Sequence, residues 1–170
     1  DMPPTLLRTY SSDSNTIIAV FDEPLDSMQA GIVSNFSINK NIGQPLSALP
    51  IPPLYTEVIL QFSTPLSANT VYQLTVSGIS DCAGNAIGAL NKAPAGVPIS
   101  TTGFDIIINE ILFKPAPAGY DFIEIYNRSN KVVDLKSLYI SNIGLNGSLT
   151  NISSLSDKSK LFFPGTYIVL

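Results

Sequence analysis

"EVILQFSTPLSANTVYQLTVSGISDCAGN", Glu57 to Asn85, is the stretch that decides the fold. In its second half Tyr72, Leu74 and Val76 alternate with Gln73, Thr75 and Ser77, the period of two of a strand with one face in a core and one in water. Its first half, Glu57 to Phe62, is β-branched and aromatic and too short for a helix. Between the two lies Pro65-Leu66. Proline cannot donate to a ladder, so a strand must stop or reach an edge there, and the leucine after it is free to turn back into the core.

The same punctuation occurs earlier. "VFDEPLDS", Val20 to Ser27, echoes "QFSTPLSA", Gln61 to Ala68, with Phe21 and Phe62 each three residues before a Pro-Leu pair. Thr16 to Phe21 and Asn35 to Asn39 read as further strands, and only Ser27 to Val33 can hold a helical turn, weakened by Gly31. "SGISDCAGNAIG", Ser77 to Gly88, breaks the pattern. Asp81 can accept bonds from amides two residues on, and Gly84 can take a positive φ, so a compact loop is expected. Asp81 and Asn85 also offer oxygens to a cation such as calcium, without the dense acidic spacing of an EF-hand.

Composition narrows the function. The 170 residues are 45% hydrophobic and only 13% charged, enough apolar surface for one large or two small domains. A formal charge of -4 without a basic cluster disfavours nucleic acid as a partner. No apolar run approaches the roughly 18 residues of a membrane helix. No charged leader precedes an apolar segment, and the start at Asp1 reads as a mature product or an excised piece. There is no histidine and one cysteine, Cys82, which removes the usual zinc, copper and iron ligand sets and the Ser-His-Asp and Cys-His nucleophile systems. The chain is expected to be no enzyme and to need no cofactor, calcium being the one ion left open.

The series "IIAVFDEPLD", "NFSI" and "VILQFSTPLSANTVYQLTVSGISDCAGN" resembles the bacterial Ig-like domain of the SbsA S-layer type. That pattern has a strand ending Phe-x-x-Pro-hydrophobic-Asp, a later Pro-Leu turn, then Tyr-x-Leu-Thr-Val and an Asp-x-x-Gly-Asn loop. The resemblance covers about the first hundred residues and implies an Ig-like β-sandwich used as an extracellular spacer.

"NKAPAGVPISTTG", Asn91 to Gly103, is expected to hold a last strand around Val97 to Thr101 and a very short linker, giving a first domain of residues 1–102 and a second of 103–170. The second begins "FDIIINEILFKPAPAGYDFIEIYNRSNKVVDLKSLYISN", which reads as strand, hairpin turn, strand, turn, strand. It resembles the start of the bacterial lamin-tail domain, with its Asn-Glu-Ile strand, Pro-containing loop, Phe-hydrophobic-Glu-hydrophobic-Tyr-Asn strand and Val-Asp-Leu step. "LFFPGTYIVL", Leu161 to Leu170, is similar to that family's Pro-Gly turn leading into a core strand, and Leu138 stands where relatives often carry Trp. The resemblance implies further strands beyond Leu170. The fold class expected is therefore all-β, two Ig-like β-sandwiches in tandem, the second truncated at its C-terminus. The expected partners are the rest of a longer polypeptide and, through the final strand, a neighbouring molecule or exchanged segment.

Two glutamates need an account. If the hairpin turns around Pro117, Glu110 and Glu124 face each other across the ladder, with Cβ atoms about 5 Å apart and a repulsion of about 3 to 4 kcal/mol at an effective dielectric of about 20. A bound cation, a protonated carboxyl or a shifted register would relieve it. Retaining glycosidases also hold two carboxyls about 5 Å apart, but one hairpin offers no cleft or sugar-orienting groups. Structural roles are favoured. Tyr120, Phe122 and Tyr126 alternate on one strand and could bind sugar or protein, or simply pack. Asn35-Phe-Ser, Asn127-Arg-Ser, Asn146-Gly-Ser and Asn151-Ile-Ser fit the N-glycosylation pattern and read more simply as turn composition.

The function expected is a structural, spacer or adhesion segment of a larger secreted or cell-surface bacterial protein. The alternative is an accessory glycan- or protein-binding module of an exported hydrolase or nuclease.

Overall fold

The computed structural model describes residues 2–113 and 119–170; the expected turn at Pro117 lies outside them. The chain is all-β apart from single helical turns, and divides into two compact units, Asp1–Val97 and Pro98–Leu170. The division falls after Val97, where the sequence placed it near Thr102.

The first unit contains β1 (Leu6–Ser11), β2 (Thr16–Phe21), α1 (Ser27–Ala30), β3 (Phe36–Ile38), β4 (Ser47–Pro50), β5 (Glu57–Gln61), β6 (Tyr72–Val76) and β7 (Lys92–Ala95). Its sheets have the orders β1-β2-β5-β4 and β3-β6-β7, all antiparallel. Alternation puts Ile17, Ala19 and Phe21 of β2, Val58 and Leu60 of β5, and Tyr72, Leu74 and Val76 of β6 into one core with Phe36 and Ile38. Each fully buried Ile, Leu, Val or Phe contributes about 1.5–3 kcal/mol.

Both Pro-Leu corners close this core. Leu25 and Leu66 are buried, and their amides bond the carbonyls of Tyr55 and Ser14 at 3.2 and 2.8 Å. α1 is one turn, capped by Asp26, whose carboxylate accepts from the amides of Met28 and Gln29. It stops at Gly31, and Ala30 is the residue it buries.

The last strand of this unit is β7, not Val97 to Thr101. Small side chains decided the difference: Ala93 and Ala95 fit beneath Leu74 and Tyr72, whereas a propensity reading passes over alanine. Pro94 is tolerated because β7 is the edge of its sheet, and its carbonyl accepts from the Thr9 hydroxyl at 2.8 Å. Strands β1 and β4 lie outside the sequence reading altogether.

The second unit contains β8 (Ile106–Leu112), β9 (Phe122–Asn127), β10 (Val133–Asp134), β11 (Tyr139–Ile143), β12 (Leu149–Ser154), β13 (Leu161–Phe162) and β14 (Tyr167–Val169). They form a β14-β9-β8 sheet and two ribbons, β10-β13 and β11-β12. The core is small: Ile125, Val133, Leu135 and Phe162, with Ile106, Ile123, Leu138, Leu155 and Ile168 packed against it. Pro164-Gly165 turns the chain, with Gly165 at φ +72, into a strand that gives the core one residue, Ile168. β14 sits at the sheet edge against β9, with Tyr167 and Val169 exposed.

Candidate functional site

The outer face of the β14-β9-β8 sheet collects most of the expected site residues. Paired residues share a face, so Glu110, Glu124 and Val169 form one row, and Ile107, Tyr126 and Tyr167 the next. A bulge between Ile108 and Glu110 shifts the ladder by one residue, and the register sets Glu110 directly opposite Glu124. Glu110 is exposed and Glu124 half-buried. The Asn109 amide donates to Glu124 Oε1 at 2.7 Å, giving that carboxylate a polar partner. Two carboxylates and one amide fall short of the six to eight oxygens of a calcium site, and among the described residues no three acidic or cysteine side chains converge.

Of the aromatic candidates, Tyr126 stacks on Tyr167 with ring centroids 4.5 Å apart and planes at 25°. Phe122 lies half-buried on the same face, one row beyond Glu124, opposite Leu112. Tyr120 precedes β9 and is 87% exposed. The structure therefore brings together Phe122, Glu124, Glu110 and Tyr126, and adds Tyr167.

Asp81 and Asn85 are in the first unit and lie together for another reason. The buried Asp81 carboxylate accepts from the amides of Ala83 and Asn85, both at 2.8 Å, and from the Asn85 side chain at 2.7 Å. The Asn85 amide, then the backbone amides, hold its pKa below the ordinary value. Gly84 at φ +92 lets the loop close. All of these bonds stabilise the loop, which carries β6 back past Leu25 through the Leu25–Asp81 bridge.

Of two polar clusters in the second unit, the sequence reading misses the first and reads the second only as turn composition. Lys131 Nζ lies 2.6 Å from Asp105 Oδ2, which also accepts from the amide and hydroxyl of Thr102. The Lys131 bond, then those from Thr102, lowers the Asp105 pKa to about 2. Asn127 is fully buried: its amide donates to the carbonyls of Lys131 and Phe162, and its oxygen accepts from the amide and hydroxyl of Ser129. The Asn-x-Ser spacing is here a turn clamp, in line with its reading as turn composition.

Two open clefts flank the small core. One of about 330 Å³ is lined by Ile106, Ile108, Ile125, Leu138 and Leu155 among others, and one of about 480 Å³ by Phe113, Ile123, Ile140, Leu155 and Leu170 among others. Neither holds Glu110, Glu124 or Tyr126.

A chain of antiparallel sheets, two of which enclose one apolar core in the first unit, defines a module of the Ig-like class. The chain belongs to the bacterial Ig-like domain family, which matches residues 3–116. Among solved structures, the N-terminal part of the bacterial S-layer protein SbsC is similar over 99% of this chain and 44% of that one, at 16% identity and a TM-score of 0.51. The S-layer protein rSbsC(31-844) is similar over 99% of this chain and 32% of that one, at 16% identity and a TM-score of 0.50. The chain spans less than half the length of either, and likeness at such identity shows the fold alone. Comparison with curated proteins found no match. Among the described residues no helix is long and apolar enough to cross a membrane.

Proposed function

We propose that this chain is a spacer segment of a larger secreted or cell-surface bacterial protein, with a mechanical and positional rather than chemical role. The observation that carries the reading is the use made of Asp81: a buried carboxylate in the most motif-like loop has its oxygens occupied by Ala83 and Asn85. Membership of the bacterial Ig-like family supports it. The order of elements in the second unit, β8, β9, then the Val133-Asp134-Leu135 step, supports reading it as a lamin-tail segment. Its partners are then the remainder of its own polypeptide and, along the free edge of β14, a neighbouring chain.

Antibody against the first unit should label intact cells as strongly as permeabilised ones. Labelling only after permeabilisation overturns the surface placement, and turnover of any substrate by the purified chain overturns the mechanical role.

The Tyr126–Tyr167 stack beside Glu124 and the exposed Tyr120 favours a second reading, an accessory module that binds glycan or protein. Wild-type and Tyr126→Ala chains passed over immobilised cell-wall glycans test the glycan form of it: retention lost in the variant supports the module, and equal elution removes glycan binding.

A further inference from the structure

The β11-β12 hairpin is closed by Gly144 to Ser148 and contains Asn146-Gly147, the one Asn-Gly step in the chain. Asn146 is exposed, and glycine after it leaves no Cβ to obstruct the approach of the next amide nitrogen to its side chain. Its Oδ1 accepts from the Ser148 hydroxyl at 2.6 Å and from the Ser148 amide at 3.1 Å. Two donors on one carbonyl oxygen stabilise the negative charge that develops when a nucleophile adds to its carbon.

We propose that Asn146-Gly147 is a self-modifying site, converting through a cyclic imide to aspartyl and isoaspartyl forms, with Ser148 as the donor to the oxyanion. The Gly147 nitrogen adds to Asn146 Cγ while its proton passes through solvent to Nδ2. The new N–Cγ bond forms, the Cγ–Nδ2 bond breaks, and ammonia leaves. Water then opens the ring at either carbonyl, giving an acid in the side chain or in the main chain, with no oxidant or reductant involved. The Gly147 amide donates to the Gly144 carbonyl at 2.9 Å, and this bond opens first, a local event at an exposed hairpin end. Each conversion adds one negative charge to a chain already at -4.

Four other asparagines are held back. Asn127 is buried and fully bonded, Asn85 has its amide on Asp81, and Asn35 and Asn151 precede the bulky Phe36 and Ile152.

The test incubates the whole chain in mildly alkaline buffer and follows each asparagine by peptide mass mapping with isoaspartate detection. Asn146 should convert before every other asparagine, and Asn146→Gln should abolish the signal at that site. Ser148→Ala should slow conversion about fivefold, the rate equivalent of one ordinary hydrogen bond, while Ser148→Thr keeps the native rate. In denaturing urea the Ser148→Ala effect should vanish, because the donor is placed by the hairpin. Earlier conversion of another asparagine overturns the site; an unchanged native rate in Ser148→Ala, or equal slowing in urea, overturns the role of Ser148.

Discussion

Glu110 stands directly opposite Glu124 across the β8-β9 ladder, and Asn109, the extra residue of the bulge beside it, turns its side-chain amide onto Glu124 at 2.7 Å. Like charges directly opposite in a sheet destabilise it, and the exposure of Glu110 to water together with the Asn109 amide brings the cost well below that of a bare pair. Glu110→Gln should therefore raise the stability of the second unit by about 0.5 kcal/mol, read as a higher denaturant midpoint. Calcium and a chelator should give the same midpoint, since the pair supplies too few oxygens for that ion; a rise with calcium would show the row completed by a cation.

The Asp105–Lys131 pair gives the second unit an acid limb. Asp105 has a folded pKa of about 2 against an ordinary 3.8, so its contribution is fully present above the ordinary value and is lost as pH falls from about 4 to about 2. Protection factors of the β9 and β10 amides, that is, exchange corrected for the intrinsic rate at each pH, should fall over that window in the wild type. Asp105→Asn should exchange faster at neutral pH and show a flatter response through the same window.

The two Pro-Leu corners predict a contrast within the first unit. Leu25 is fully buried and Leu66 nearly so, whereas Leu7, the bulged residue of β1, is 58% exposed. Leu25→Ala should cost about 2–5 kcal/mol and Leu66→Ala a similar amount, while Leu7→Ala should stay within about 0.5 kcal/mol of wild type. Chemical denaturation of the three variants reads the difference directly.

Those corners also show what the sequence made legible. Period-two alternation identifies β6, where burial of one face constrains every second residue, while β-branched and aromatic content and the Pro-Leu punctuation identify β2, which is buried at nearly every position, and β5. Strand β7 was not legible, since Ala93 and Ala95 carry no strand signal and qualify only by fitting under Leu74 and Tyr72. Symmetry about the Pro117 turn brought Glu110 and Glu124 together on paper, but the bulge that keeps them in register depends on Asn109, whose side chain gives no sign of it in the linear order. Asn127 was hidden for a related reason. Its partners Lys131 and Phe162 lie at very different separations along the chain, and only the closed fold brings both carbonyls to one amide.

Asn127 supplies the most discriminating prediction, because its shape can be kept while its chemistry is changed. As an amide it donates twice, to Lys131 and Phe162, and accepts twice from Ser129, with its own side chain buried. Asn127→Ala removes all four bonds and leaves the carbonyls unpaired, a loss of about 2–3 kcal/mol. Asn127→Asp is isosteric but places a carboxylate against two carbonyl oxygens, costing about 3 kcal/mol or more near neutral pH. That carboxyl would have its pKa raised by burial and by the carbonyls, so the protonated form is the one the folded state prefers. A folded pKa raised above the unfolded value gives stability that is present at lower pH and lost as pH rises. The Asp variant should accordingly become more stable from neutral pH down to about 5, a range in which the wild type, with Asp105 still ionised, is flat. Denaturation midpoints of the two chains at neutral and mildly acidic pH decide it: parallel profiles would mean that Asn127 is not the buried clamp between β9 and β13.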